Sequence, residues 1–273
     1  MVSLPPLPQP FRIETDVAET EWIDQRLDQS RSSPPTVGFI VPSGFESYAR
    51  LLHPGRRYLG ESHEERTLLR WREIADVRGK MIHPEVELHA LIDNADEWDY
   101  HHWKAISAGE GEWSPPDEAL HDTEALPLLS ILRSATSAGD GWFMLWNGYG
   151  DLRRRGFETV PWGTIHRLDG DPPDVPAELL GSVRAYRHYY VFRGPLAGLS
   201  TWFEWRPEAP NYFWPDDKAW IVATEIDGFS TYVGAPRHQI EEILMSPFFE
   251  ALPCELGHRF DGIGDPINGE PWD

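Results

Sequence analysis

Residues 213–246 constrain the fold of this chain more than any other segment. An apolar strand over 219–224 follows a Pro-Asp-Asp turn, a second short strand covers 231–233, and a helix opens at Pro236. The apolar residues of that helix recur at the spacing of one face: Ile240, Ile243 and Leu244. Because proline fits the first turn of a helix and interrupts its interior, Pro236 begins the helix and Pro247 ends it. We therefore predict a strand pair with an amphipathic helix packed on it.

Hydrophobic patterning elsewhere predicts strands and helices that do not alternate regularly. The predicted strands cover residues 36–41, 141–146, 186–192 and 199–205, and the predicted helices cover 15–30, 45–52, 65–76 and 126–136. Strands cluster in the second half of the chain and helices in the first, which favours an α+β fold over a doubly wound one. We expect a mixed or antiparallel sheet with helices packed mainly on one face. The 13 Trp residues predict an aromatic-rich core.

The domain organisation follows from composition. Residues 1–10 are rich in proline and are predicted to form a flexible lead-in, and residues 11–273 a single α+β domain. A subdivision is possible near residues 93–124, where ten acidic residues are set against Lys104 among Gly and Pro. We predict that this segment is a long acidic surface loop.

The charge balance excludes some classes of partner. With 45 acidic and 24 basic side chains, the chain has a net charge of −21, and we expect no nucleic-acid partner, because phosphate backbones are bound by Lys and Arg.

The longest apolar runs have the length of strands, so we expect no membrane partner. The N-terminus lacks the features of a secretory signal, and the single Cys254 fits a reducing compartment, so we expect a cytoplasmic protein. Because a phosphate-binding glycine loop is lacking, we expect no cofactor.

Several aromatic blocks carry a resemblance to a known group of proteins. The blocks are FESYARLLHP at 45–54, WFMLWNGYG at 142–150, YVFRGPL at 190–196, FWPDDKAWIVATEID at 213–227 and TYVG at 231–234. In these blocks the chain resembles a family of uncharacterised actinobacterial proteins, over about residues 39–255. The resemblance implies a single cytoplasmic module with the aromatic blocks as its framework, and it implies no catalytic residue.

A histidine-rich segment is the strongest candidate for metal chemistry. Four imidazoles lie within twenty residues, at His83, His89, His101 and His102, with Asp93, Asp96 and Asp99 among them. Imidazole and carboxylate are the ligands that zinc and manganese prefer. The separation of six residues between the first two histidines fits neither H-E-x-x-H nor a 2-His-1-carboxylate arrangement. The alternative is a polar surface with one half-buried histidine.

Four carboxylates flank the apolar strand at 219–224. Asp216 and Asp217 precede it, and Glu225 and Asp227 follow it. If the neighbouring loops fold back, two of these groups could act as general acid and base. The alternative is turn chemistry, in which an Asp-Gly pair forms one turn and an aspartate caps another.

Aromatic residues in predicted turns are candidates for exposed binding anchors. They are Tyr149, Tyr212 and Phe213. Aromatic side chains supply much of the energy at protein interfaces, and together with the four carboxylates they form the predicted binding set.

Two hypotheses for function follow. The first is a non-enzymatic interaction module, similar in physical profile to immunity proteins, with an acidic surface that binds a basic partner protein. The alternative is a metal-dependent hydrolase or another small-molecule enzyme that uses the segment from His83 to His102, or Glu225 and Asp227. The missing nucleophile motifs favour the first hypothesis.

Overall fold

A computed structural model gives the protein an α+β fold. It describes residues 7–14, 18–28, 35–59, 65–92, 112–114, 116–154, 180–183, 187–259 and 265–269. The strands within these residues are β1 (Arg12–Ile13), β2 (Ser47–Leu52), β3 (Gly55–Leu59), β4 (Glu65–Leu69), β5 (Glu112–Ser114), β6 (Asp140–Trp146), β7 (Leu180–Val183), β8 (Arg187–Pro195), β9 (Tyr212–Pro215), β10 (Ile221–Thr224), β11 (Ser230–Ala235) and β12 (Glu250–Cys254). The helices are α1 (Glu21–Arg26), α2 (Trp71–Arg78), α3 (Leu88–Ile92), α4 (Asp122–Leu132), α5 (Gly150–Arg154), α6 (Leu199–Trp205) and α7 (Arg237–Met245).

One large antiparallel sheet organises the molecule. Its strand order is β1-β8-β6-β9-β10-β11-β2-β12, and β7 pairs with the same side of β8 as β1. In the centre, Phe143 on β6 is opposite Phe213 on β9, and Val222 on β10 is opposite Val233 on β11. A separate three-stranded sheet has the order β4-β3-β5. These pairings confirm the predicted antiparallel sheet.

The large sheet has an aromatic core on each face, because successive side chains of a strand point to opposite sides. On one face, α4, α6 and α7 cover a core that contains the stacked rings of Phe143, Phe213 and Trp202. On the other face, α1 and residues 35–45 cover Trp142 and Trp214, whose rings are also stacked. The aromatic-rich core is therefore confirmed, and three of the seven described helices, α4, α6 and α7, pack together on one face.

A third cluster joins the first half of the chain to the end of the sheet. Helices α2 and α3 pack Trp71, Ile74 and Leu91 against Leu52 of β2 and Leu252 of β12. Helix α2 ends at Gly79, whose φ of 65° lies in the left-handed region that glycine adopts at little cost.

Two predicted elements between residues 36 and 52 were wrong. The predicted strand at 36–41 is a 3-10 turn, Val37–Phe39, and the predicted helix at 45–52 is strand β2. β2 lies between β11 and β12, where Ala49 and Leu51 face one core while Arg50 faces the other side. A short apolar run does not distinguish a helix from a central strand, and the pairing partners decide.

Two further elements were predicted incorrectly. Only the second part of the predicted helix at 65–76 is helical, because residues 65–69 form β4. The predicted strand at 199–205 is helix α6, in which Leu199 and Trp202 are buried three residues apart on one face. Of the predicted loop at 93–124, residues 93–111 and 115 lie outside the described residues, Glu112–Ser114 form strand β5, and α4 begins at Asp122.

Within the predicted helix at 15–30, the described residues form a 3-10 turn at Ala18–Thr20 and helix α1. Several other predictions were correct. The strand at 141–146, the strand at 186–192, the pair β10 and β11, and helices α4 and α7 occupy the predicted positions. Each helix in the described part of the chain is too short or too polar to cross a lipid bilayer.

Candidate functional site

A buried polar cluster lies at one edge of the large sheet, where β10 and β2 end and β11 begins. His53 follows β2 directly, and its Nε2 is 2.8 Å from Oγ1 of Thr231, which is 2.7 Å from Oγ1 of Thr224. The His53 Nδ1 is 2.6 Å from the backbone carbonyl oxygen of Asp117. A carbonyl oxygen only accepts, so Nδ1 carries the proton, Nε2 accepts from Thr231, and Thr224 donates to Thr231.

The carboxylate of Asp117 extends this cluster towards solvent. Its Oδ2 accepts from Nε of Arg56 at 2.6 Å and from Nε2 of His121 at 2.7 Å. We define the polar edge as His53, Arg56, Asp117, His121, Thr224 and Thr231. His53 follows β2, the other members lie in β3, β10, β11 and the segment before α4, and only the tertiary fold brings them together.

The electrostatics of the polar edge follow from burial and hydrogen bonding. Burial outweighs the nearby Asp117 and lowers the pKa of His53 to about 4, so this imidazole is neutral at pH 7. Burial opposes ionisation of Asp117, but the hydrogen bonds from His121 and Arg56 lower its pKa to about 2. Asp117 is therefore charged and His53 uncharged under ordinary conditions.

The order Thr231, His53 and the Asp117 carbonyl has the form of a hydroxyl, a base and an orienting group. However, the exposed fraction is 0% for Thr231 and 2% for His53, so the hydroxyl does not face solvent. A nucleophile must reach its substrate, whereas this hydroxyl is held inside the sheet. The arrangement instead fixes the segment that precedes α4 to the ends of the central strands.

A second polar group continues along the same edge. Asn211 accepts from the backbone N of Trp146 at 2.8 Å and donates to the hydroxyl of Tyr149 at 3.0 Å. The guanidinium carbon of Arg206 lies 4.1 Å from the centroid of the Tyr149 ring, and its Nη2 is 2.9 Å from Glu208. Burial raises the pKa of Tyr149 to about 12, so the phenol stays protonated as a donor and acceptor.

Three aromatic residues were predicted to be exposed, and this was wrong for two of them. Tyr149 lies in the turn after β6 and is half-buried. Tyr212 and Phe213 were expected to be exposed, but both are buried in β9, where one faces each core. The reason is that the predicted turn at these residues is a central strand between β6 and β10.

The four predicted carboxylates do not meet. Asp216 and Asp217 lie before β10 and Glu225 and Asp227 after it, at opposite ends of this strand. Asp216 pairs with Arg193, with Oδ2 and Nη2 2.6 Å apart, and Asp217 accepts from Thr136 at 2.6 Å. Glu225 begins the turn to β11, with its backbone carbonyl 3.3 Å from the backbone N of Gly228. The condition for an acid–base pair, that the neighbouring loops fold back towards each other, is not met, and the alternative of turn chemistry explains these positions.

The two described histidines of the histidine-rich segment, His83 and His89, lie in different surroundings. His83 is buried and its Nε2 is 2.8 Å from Oδ1 of Asp265, while His89 lies in α3 with its ring near that of Phe229. His101 and His102 lie outside the described residues. Among the described residues, no group of three or more His, Cys, Asp or Glu side chains is arranged to hold a metal ion.

An exposed surface on the helical face had no counterpart in the sequence predictions. Glu241 and Glu242 are exposed on α7, Met245 at the end of the helix is 79% exposed, and Phe248 just beyond it is 61% exposed. We call these four residues the α7 face. The sequence signal that could have shown it is the pair of aromatic residues after Pro247, of which only Phe249 is buried.

Comparison of the chain with protein-family models, with curated proteins and with solved structures gives no match.

Proposed function

We propose that the protein is a non-enzymatic interaction module of the bacterial cytoplasm that binds a basic partner protein through the α7 face. The observation that carries the proposal is the exposure of Met245 and Phe248 beside Glu241 and Glu242. Large apolar side chains at the centre of an interface and charged side chains at its rim are the usual composition of a protein-binding surface.

The net charge of −21 supports a basic partner. A field of one sign attracts a partner of opposite charge and speeds association, most strongly at low salt. Helices α4, α6 and α7, which share the covered face of the sheet, carry the further exposed acids Asp122 and Glu204. The α7 face therefore lies on a layer that is itself acidic.

The test uses the full chain as bait in lysate of the source organism at low salt. We expect wild-type protein to capture a partner with a basic isoelectric point, and capture to fall as salt rises. Phe248→Ser and Met245→Ser together should reduce capture of that partner at least tenfold, and Glu241→Lys with Glu242→Lys should slow its association.

A matched control separates the α7 face from overall charge. Glu21→Lys with Asp76→Lys makes the same charge change at exposed positions of α1 and α2. These substitutions should leave capture within twofold of wild type at moderate salt. If the control variant weakens capture as much as Glu241→Lys with Glu242→Lys does, or if no basic protein is captured, the proposal is wrong.

A further inference from the structure

A small pocket opens beside the α7 face, between the ends of β2, β4 and β12 and the start of α4. Its walls are apolar and buried, formed by Leu51, Leu52, Leu120 and Phe249. Leu68 and Phe248, which are exposed, form its rim. Two carboxylates, Glu124 and Glu250, also line it.

Glu124 contributes an acceptor that no described residue satisfies. Its residue is only 5% exposed, and its Oε2 accepts from the backbone N of His121 at 3.1 Å. Its Oε1 is buried and has no hydrogen-bond partner among the described residues. A buried carboxylate oxygen without a donor is costly, so the pocket is suited to a group that brings one.

Glu250 is anchored but retains acceptor capacity. Its two oxygens accept from the backbone N of Trp71 at 2.7 Å and of Arg72 at 2.9 Å, at the start of α2. Nε of Arg72 also lies 3.9 Å from Oε1. A carboxylate offers about four acceptor positions, so these contacts use only part of its capacity. The carboxylate of Glu250 is therefore held in place at the pocket and can still accept a hydrogen bond.

The size of the pocket selects among cationic groups. It holds about 20 Å³, enough for one group of the size of a water molecule. An ammonium group has that size and three donors, whereas a guanidinium is a larger planar fork. Arg70 also lines the pocket, but its Nη2 donates to the Pro247 carbonyl at 2.6 Å.

We propose that this pocket binds the ammonium group of a lysine side chain from the partner, with Glu124 as the principal acceptor and the aliphatic stem between Leu68 and Phe248. The source of the lysine rests on the proposed function, because Phe248 belongs to both the pocket and the α7 face. A neighbouring cleft of about 170 Å³, lined by Arg70, Leu244 and Ser246 among others, gives room for the residues that flank the lysine.

The test compares three blocked amino acids on the wild-type protein: N-acetyl-lysine amide, N-acetyl-norleucine amide and N-acetyl-arginine amide. Norleucine has the lysine stem without the ammonium group. We expect the lysine compound to shift the backbone amide resonances of Leu120, Glu124 and Phe249, and the other two to bind about tenfold more weakly or not at all. Equal binding of norleucine or arginine, or no shift with lysine, would overturn the proposal.

Variants sharpen this test. Glu124→Gln keeps the shape of the side chain and should weaken lysine binding about tenfold. The control Asp122→Asn removes a neighbouring exposed charge from the same helical turn and should change binding less than twofold. Arg70→Gln removes the cation at the pocket and should tighten lysine binding. Weaker binding by Arg70→Gln, or an equal loss in the two acidic variants, contradicts the assignment.

Failure of the pocket and failure of the proposed function give different results. If lysine does not bind but the α7 variants still lose the basic partner, the interaction stands and the pocket assignment is wrong. If lysine binds as described but no basic partner is captured, the pocket stands as an ammonium site and the interaction is wrong.

Discussion

The imidazole of His53 and the hydroxyl of Thr231 are joined by a buried hydrogen bond of 2.8 Å, although 178 residues separate them in the chain. This contact connects the end of β2 to the start of β11. The other ring nitrogen donates a hydrogen bond to the Asp117 carbonyl, so one neutral histidine connects two strands and the segment before α4. The contact requires the uncharged ring, which makes the fold sensitive to acid.

We therefore expect stability to fall between pH 6.5 and pH 4. In the folded protein burial lowers the pKa of His53 to about 4, below the ordinary histidine value of 6.5, so the unfolded chain takes up the proton first as the pH falls. This pKa difference corresponds to a loss of about 3 kcal/mol in the free energy of unfolding. The loss is absent above pH 6.5 and complete below about pH 4. Urea unfolding at several pH values measures it. His53→Gln should reduce this pH dependence and exposed His238→Gln should not, and identical profiles would contradict the assignment.

Arg50 and Glu87 should show strong energetic coupling. Both are buried, and Nη2 of Arg50 is 3.4 Å from Oε1 of Glu87, while its Nη1 donates to the Val86 carbonyl at 2.8 Å. Removal of one member of a buried pair leaves an uncompensated charge, so Arg50→Met and Glu87→Gln should each cost about 3–5 kcal/mol. The double variant should cost clearly less than the sum, as measured by chemical denaturation. Additive losses would show that the two side chains act independently.

Asp265 should hold residues 265–269 against the segment that contains His83. Its carboxylate accepts from Nε2 of His83 at 2.8 Å and from the backbone N of Glu87 at 3.2 Å. Burial opposes its ionisation, but hydrogen bonds from Asn268 and neighbouring backbone groups lower its pKa. The stabilisation that the Asp265 carboxylate gives the fold is therefore present above the ordinary aspartate pKa. It is lost as the pH falls from that value through the lowered pKa of the folded protein.

We expect Asp265→Ala to destabilise the protein by about 3 kcal/mol. Hydrogen exchange should become faster in residues 81–87 before it does so in the central strands. Exposed Asp227→Ala is the matched control and should leave exchange at 81–87 unchanged. Uniform faster exchange in the Asp265 variant would contradict a local docking role.

Gly141 should not tolerate a side chain. A Cβ at this position would lie 2.5 Å from Cδ2 of Leu196 and 2.6 Å from the backbone oxygen of Trp214. Because the backbone of β9 cannot move freely, Gly141→Ala should cost about 1–3 kcal/mol. At Gly139, two residues earlier, a Cβ meets nothing within 4 Å, so Gly139→Ala should change stability by less than about 0.5 kcal/mol. Equal melting temperatures for the two variants would refute this.

Cys254 should be unreactive in the folded protein. The thiol is buried on β12, and burial raises its pKa to about 12, so the thiolate is scarce at neutral pH. We expect thiol-specific reagents to label it only at the rate of unfolding, and completely in denaturant. Fast labelling in native buffer would show that β12 opens locally.

Much of the fold could be predicted from the sequence where the pattern was long and punctuated. The strand pair and helix at 219–245 were correct because apolar periodicity, turn residues and proline positions all agree there. The segments 45–52 and 199–205 were wrong because short aromatic and apolar runs fit either structure. Their neighbours decide: β2 pairs with β11 and β12, and α6 buries Trp202.

The polar edge could not be predicted, because its contacts join residues far apart in sequence and no spacing rule relates His53 to Thr231 or Asp117. Conversely, the carboxylates on either side of β10 are close in sequence but lie at opposite ends of a strand. Residues that are near in sequence but lie at opposite ends of an extended strand are separated by the length of that strand.

The sequence by itself determined that this chain forms an α+β structure with a mixed or antiparallel sheet, an aromatic core and a strongly acidic composition, because hydrophobic periodicity and charge are local properties of the chain. Tertiary structure alone decided which polar groups are buried together, which aromatic rings reach solvent, and that Glu124, whose Oε1 has no partner among the described residues, lines a pocket beside Phe248. The physical reason is that burial and hydrogen-bond pairing depend on contacts between strands and helices far apart in sequence, and these contacts exist only after the sheet has assembled.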